Sequence, residues 1–276
     1  MIEKGLPMQG KYSFQEFWAM FFDKIFNWDA FVGSFPNIVS KIPVSLEITL
    51  FSAIFGLILA LILAIISIQK VPILNQLRLL FVSFMRGTPI YVQLLLTYYG
   101  IPLILRAINM NYGTNYNINN ISSMFFVIVT FTLNEAAFNS ETIRSAIQSV
   151  ETGQIEAAKS LGMTSFQVFR RVILPESATV AAAPLGNALI GLFKGTSLSF
   201  VAGVIEMTAE AKILGGSSYR IFEAYIALAI VYWAINIVFE NIISLIERKL
   251  EIPNPEEKKK RGLFSNPFDN GGAVHD

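Results

Sequence analysis

Three groups of polar side chains interrupt long apolar runs in this chain. Asn134, Glu135, Asn139 and Glu141 fall within two helical turns. Lys194, Thr196 and Ser197 follow Gly191, and Arg86, Thr88 and Gln93 flank Gly87 and Pro89. A charge at the centre of a membrane helix costs about 2.5–3.5 kcal/mol on insertion scales, so such groups face a cavity or a partner. On a helix Asn134 and Glu141, seven apart, share one face, while Glu135 and Asn139, four apart, share a neighbouring one. The set offers donors and acceptors to a polar solute. It also allows structural pairing: Lys194 with Glu135 or Glu141 between helices, and Arg86 with headgroups or a nearby loop.

Bond-making chemistry has little to work with. The chain has no cysteine, which removes thiolate nucleophiles, disulfides and cysteine metal sites. Its single histidine, His275, is second from the end, so neither a Ser-His-Asp arrangement nor a histidine metal cluster can form. "GLFKGTS" at 191–197 lacks the spacing that cradles phosphates. No catalytic site, metal site or bound cofactor is therefore expected. A net charge of +1 gives no reason to expect nucleic acid.

The elements that must carry these groups are membrane helices. Of 276 residues 53% are hydrophobic and 15% charged, against about a quarter charged in a soluble domain. Residues 1–41 lack the pattern of a signal peptide. Instead Phe14, Phe17, Trp18, Phe21, Phe22, Ile25 and Phe26 recur at helical spacing opposite Gln15, Glu16, Asp23 and Lys24. That predicts an amphipathic helix, lying in the membrane interface or packed on the spans. Five spans are expected: 42–68, 77–105 with a bend or break at Gly87 and Pro89, one from about 122, a Gly- and Pro-broken one from about 178, and 221–246. A link at 69–78 and a polar loop at 106–120 join them, and the tail 251–276 reads as solvated and disordered. Five spans place Lys70 and Arg78, then Arg144, Lys159, Arg170 and Arg171, then Arg248, Lys249 and the basic tail on one side. Basic residues mark that side as cytoplasmic, against the trend of Lys4, Lys11, Lys24 and Lys41.

Between the third and fourth spans lies "GQIEAAKSLGMTSFQVFRRVILPES", residues 153–177. Gly162 suits the left-handed stop of one short helix. Thr164 with Gln167 is a capping box opening a second, which is expected to end at Pro175. Phe166, Phe169, Val172 and Ile173 would form its apolar face, and Glu156, Ala157 and Ala158 a small docking surface. This stretch resembles the EAA loop of bacterial ABC importer permeases: EAA, three residues, G, nine residues, I, one residue, LP. Glu156, Ala157, Ala158, Gly162, Leu174 and Pro175 match it, with Val172 for the usual Ile. Over residues 40–250 "RGTPIYVQL", "LGNALIGLFKGTSL" and "ERKLE" are similar to the polar amino acid branch, and "LNEAAFNSE" and "FKGTSLSFVAGVIEM" to cystine permeases within it. The chain departs from many relatives at Gly195, where they have an acidic residue, and at Phe138, where they have Tyr.

The resemblance implies an all-α membrane fold of the type I importer permease at 42–250, after an interfacial segment at 1–41. It implies a non-catalytic, multi-pass subunit of the bacterial inner membrane. Residues 153–175 would be the coupling helices that dock on ATPase subunits, which alone hold ATP and magnesium. A second permease subunit, identical or related, and an external solute-binding protein complete the assembly. The cargo would be a polar amino acid, with L-cystine the leading candidate. Lys194 with Thr196, or backbone N–H groups at a broken helix, would hold its carboxylate, and Glu135 or Asn139 its ammonium. A gradient-driven transporter or channel using Glu135 or Glu141 is the alternative, and it leaves the hairpin unexplained.

Overall fold

The computed structural model describes residues 13–22, 26–117 and 120–250. The expected tail 251–276, with Asp23, Lys24 and Ile25 of the amphipathic segment and two residues of the polar loop, lies outside them. The described residues form eleven α-helices: α1 Phe14–Met20, α2 Trp28–Ser40, α3 Ile42–Gln69, α4 Pro72–Gly87, α5 Ile90–Tyr112, α6 Ser123–Gln148, α7 Thr152–Ser160, α8 Ser165–Val168, α9 Leu174–Gly195, α10 Met207–Ser218 and α11 Ile221–Leu250.

Four stretches among these are long and apolar enough to cross a membrane: Ile42–Gln69, Ile90–Tyr112, Ser165–Ala202 and Ile221–Leu250. Helix α6 has the length of a fifth, about 39 Å at 1.5 Å per residue. Its polar residues keep it below the apolar threshold. They are tolerated because α6 is the hub of the bundle, packed against α3, α4, α5 and α9.

The tightest of these contacts is with α3, which runs beside α6 in the same direction: Ser52 reaches Ile128 and Gly56 lies against Glu135. The face of α3 turned inward carries Ser45, Ser52, Gly56, Ala60 and Ala64. Small residues let helix backbones approach where apolar burial supplies no drive. Its other faces show Leu50, Ile54, Phe55, Ile58 and Leu61 outward, the inverse of a soluble helix. Two buried clusters complete the core. Ile48, Leu94, Val127, Phe131 and Leu192 join α3, α5, α6 and α9. Ile38, Phe193, Met207, Ala227 and Leu228 join α2, α9, α10 and α11.

Several boundaries differ from the expectation. The supposed link at 69–78 is mostly helix, because Pro72 sits where its missing N–H is harmless and starts α4. The second span is broken at Gly87–Pro89, as expected, but the piece before the break is the whole of α4, and α5 shortens the expected loop by running on to Tyr112. The fourth span is not broken at Pro184 or Gly191; α9 passes through both. The chain leaves α-geometry later, tightening to a 3-10 helix over Thr196–Ala202 and turning at Gly203 with φ +82°. Helices α2 and α10 were not foreseen, since Gly33 and Pro36 speak against helix in α2. Burial of Ile38 among Phe193, Met207 and Ala227 overrides that weak local preference. In α1 the aromatic face of Phe14, Phe17, Trp18 and Phe22 is exposed, as an interfacial helix requires. Phe21 and Phe26 tether that segment to Phe222, with ring centroids 6.2 and 6.4 Å away.

A Cβ at Gly56 would lie 2.9 Å from the Glu135 Cβ, an atom fixed to the α6 backbone. Gly56→Ala is expected to lower the thermal unfolding midpoint of the detergent-purified chain, an overpacking cost of about 1–3 kcal/mol. Gly100→Ala on α5, where an added Cβ meets nothing within 4 Å, should leave the midpoint unchanged or raise it.

Candidate functional site

Helix α6 sorts its polar residues onto two faces, as the spacing predicts. Asn134 and Glu141 point toward α4 and α5. Asn134 Nδ2 donates to Gln93 Oε1 at 2.9 Å. Gln93 is itself buried and stitches the α4–α5 break together: its Nε2 donates to Met85 O at 2.7 Å, Thr88 O at 3.0 Å and Thr88 Oγ1 at 2.9 Å. Carbonyls left without helical partners at the break are satisfied in this way, as lipid demands. Lower on the same face Glu141 accepts from two arginines, Arg78 Nη1 at 2.5 Å and Arg144 Nη2 at 2.8 Å. Arg78 is 6% exposed and also donates to Asn75.

Glu135 and Asn139 occupy the other face. Asn139 Nδ2 donates to Glu135 Oε2 at 2.9 Å. Both line a groove of about 980 Å³ between α3, α6, α9 and α11. Glu47 of α3, which the sequence reading passed over, lines it too. The one carboxylate in an otherwise uncharged span was the available signal. The remaining lining, including Leu50, Leu185 and Ile243, is mostly apolar.

Lys194 is exposed and forms no ion pair with Glu135 or Glu141, so the pairing considered for it is not made. Thr196 is fully buried and donates back to Phe193 O at 2.7 Å, so in this conformation its hydroxyl is turned away from any solute. Ser197 is partly exposed. Arg86 lies with its guanidinium 5.5 Å from the Phe138 ring centre, beside a hollow of about 690 Å³ shared with Arg78, Glu141 and Arg144.

Two further buried carboxylates were not anticipated. Glu206 caps α10, accepting from Thr208 N at 2.8 Å and Ala209 N at 2.9 Å. Burial pushes its carboxyl above the usual range, against the downward pull of those N–H groups. Glu223 accepts from Asn27 N at 3.0 Å and so pins the start of α2 to α11.

The polar hairpin projects from one end of the bundle. Gly162 closes α7 at φ +80°, and Met163 N donates to Ala158 O at 3.2 Å, the expected left-handed stop. The Thr164–Gln167 capping box is formed, at 2.8 and 3.3 Å. The second helix does not end at Pro175. Residues Phe169–Ile173 widen into a π-turn, in which Leu174 N bonds Phe169 O, and the helix continues into α9. Proline lacks an N–H and crowds the carbonyl four residues back; the wider turn relieves both. Ala158 is buried with Val168 inside the hairpin rather than displayed. Glu156, Ala157 and Gly162 are exposed, as are Pro175 and Leu174. Leu161 beside the stop is 80% exposed; of the apolar face read in the sequence, Phe166 is 70% exposed and Phe169 is exposed, while Val172 and Ile173 are half-buried. Lys159, Arg170 and Arg171 surround it. The last carbonyl of α11, Leu250 O, accepts from Thr179 Oγ1 at 2.7 Å near this end. The basic segments around Lys70, the hairpin and Arg248 therefore gather at one end of the bundle.

A family model described as "binding-protein-dependent transport system inner membrane component" matches residues 52–252. The chain is 38% identical over 227 residues to the probable amino-acid permease YxeN of Bacillus subtilis (strain 168), covering 82% of this chain and 97% of that one. It is 37% identical to the L-cystine transport system permease TcyL of the same organism, covering 80% and 90%. A crystal structure of an amino acid ABC transporter with histidines superposes with a TM-score of 0.69 at 30% identity, covering 81% of this chain and 99% of that one. The inward-facing MetNI methionine transporter shares the fold, at a TM-score of 0.57.

Removing one partner of a buried ion pair strands the other, at about 3–5 kcal/mol. Glu141→Gln is expected to cut the yield of folded, monodisperse protein in detergent sharply. The double change Arg78→Met with Glu141→Leu should recover most of it, because Arg144 keeps its bond to Gln148.

Proposed function

The chain belongs to the family of binding-protein-dependent transport system inner membrane components, as an amino-acid ABC permease with no catalytic site of its own, and from that membership we propose the rest of its role. It carries a polar amino acid, with L-cystine the leading candidate, delivered by an external binding protein and moved at the expense of ATP hydrolysed on partner subunits that hold ATP and magnesium. Similarity to a cystine permease supports that candidate. A second permease subunit faces the groove. The hairpin, Lys70 and the C-terminus lie in the cytoplasm, in keeping with the basic residues gathered there.

The observation that carries this reading is the hairpin. Glu156, Ala157 and Gly162 of α7 and its stop, and Leu174 and Pro175, are solvent-facing, as are Leu161 and Phe166, and the second helix of the hairpin runs without a break into α9. Exposed apolar side chains rimmed by charge are a protein-docking surface. A knob fused to a membrane helix passes an ATPase's closure directly into the bundle. In the membrane, Asn134 and Glu141 serve as struts, Glu135 and Asn139 face the solute path, Lys194 and Ser197 border it, and Arg86 stands on the strut side against Phe138. Thr196 joins the path only if its 3-10 segment unwinds. At the opposite end a hollow of about 1020 Å³, lined by Tyr98, Tyr99, Arg106 and Tyr116, is where the binding protein would unload. A gradient-driven transporter would leave the hairpin without a task.

Co-expression with the neighbouring ATPase in nanodiscs tests this. ATPase activity should rise when an external binding protein loaded with one amino acid, from a panel including cystine, is added. Glu156→Arg should abolish that rise. A chain that assembles with no ATPase, or whose uptake follows an ion gradient and ignores ATP, overturns the reading.

A further inference from the structure

Where α3, α4 and α6 meet near the hairpin, the charges lining the hollow of about 690 Å³ do not balance. Arg78 and Arg144 both bond to Glu141, and one carboxylate offsets only one of them. Arg86 adds a third positive charge. It is exposed and makes no hydrogen bond or ion pair among the described residues, its guanidinium resting 5.5 Å from the Phe138 ring centre. Phe138 and Glu141 stand three residues apart, about 4.5 Å along α6. The unpaired cation and the overfilled carboxylate therefore lie within the span of one phosphodiester headgroup.

Apolar surface adjoins this charge. Ile73, Leu77, Leu80 and Phe84 are exposed at helical spacing and form a stripe along one side of α4. Leu79, Ser83 and Arg86, all exposed, lie between that stripe and the buried Val82 and Met85, and all three line the hollow. On α3, Ile65 and Ile68 are exposed beside Ser67, which lines it too. Lys70 follows as the exposed cap of α3, and Arg144 is one turn from the end of α6 at Gln148. The hollow thus opens toward the bilayer face from which the hairpin projects. An amphipathic helix with a cationic flank lies in that interface, and a basic pocket between membrane helices suits an anionic headgroup.

We infer that this hollow binds the phosphate of an anionic phospholipid, with Arg86 as its principal ligand, Arg144 beside it, and the acyl chains against the exposed side of α4. The lipid supplies the negative charge that Glu141 lacks, and so holds α4 against α6 next to the Gly87–Pro89 break. A soluble phosphate would gain nothing from the apolar stripe, which commits the site to lipid.

Native mass spectrometry of the permease–ATPase complex in mild detergent tests this, with phosphatidylglycerol and phosphatidylcholine of the same acyl chains added in equal amounts. Wild type should retain phosphatidylglycerol in preference by about tenfold or more. Arg86→Gln should bring the two close to parity, the loss of one charge-assisted hydrogen bond being worth on the order of tenfold. Arg86→Lys should keep most of the preference. Ser83→Glu, which sets a negative charge on the rim, should abolish it and decides the matter if Arg86→Gln yields no complex. Lys212→Gln removes a cation that rests 4.7 Å from the Phe200 ring centre, away from the hollow, and should change nothing. Glycerol 3-phosphate at millimolar concentration should not displace the lipid. Wild type without a preference, as when a partner subunit closes the hollow, would overturn the proposal. So would a preference that ignores Arg86→Gln and Ser83→Glu, one lost equally in Lys212→Gln, or displacement by glycerol 3-phosphate.

Discussion

A helix carrying Asn134, Glu135, Asn139 and Glu141 within two turns cannot stand alone in hydrocarbon, where each unpaired polar group costs several kcal/mol. Its place in the bundle depends on the close fit of α3, whose Ser45, Ser52, Gly56 and Ala60 leave room for α6 to lie almost backbone against backbone. That fit shields one flank of α6. It also fixes which polar groups are free to meet something other than protein. The side facing α4 and α5 is spent on structure: Asn134 on Gln93, Glu141 on two arginines. The side beside the groove keeps acceptors in surplus. Polar groups paired within the bundle and polar groups left beside the groove are thus separated by rotation around one helix.

The same economy explains the breaks in the bundle. At Gly87–Pro89 the backbone opens, and one buried glutamine takes up the loose carbonyls. At Thr196–Ala202 the helix tightens, and the hydroxyl of Thr196 turns inward to a carbonyl. Glu206 supplies the N–H groups of the next helix with a carboxylate. Each irregularity has a polar side chain at hand to meet the loosened backbone groups. Segments whose regular bonding is interrupted in this way are those at which a helix bundle can most readily rearrange.

Much of this was legible in the sequence because the signals were local. Gly162, the Thr164–Gln167 box and the i, i+7 and i, i+4 spacings on α6 depend on a few neighbouring residues, and the structure bears each of them out. What could not be read depended on distant contacts. Helix α2 forms against its own Gly33 and Pro36 because Ile38 finds a core built from α9, α10 and α11. Pro184 and Pro175 each suggested a break. At Pro175 the chain absorbed the misfit in a π-turn, which local propensity does not reveal. Phe166 and Phe169 had the spacing of one apolar face, yet both stay exposed among the described residues. Periodicity reports which residues share a side and says nothing about whose surface that side meets. Glu47 was passed over for the opposite reason: a single residue makes no pattern.

The unbroken helix from Ser165 to Ala202 has a consequence for how such a chain can diverge. Each residue added to or removed from an α-helix shifts what lies beyond by about 1.5 Å and turns it by about 100°. Between Ser165 and Thr196 side chains can be exchanged wherever packing permits, whereas a change in residue count re-aims everything beyond it. One insertion would aim the knob and the solute path in different directions. The π-turn at Phe169–Ile173 holds one residue more than an α-turn would, the trace such an insertion leaves when it is tolerated. This segment is therefore a gauge whose length, more than its exact side chains, sets how its two ends are aimed.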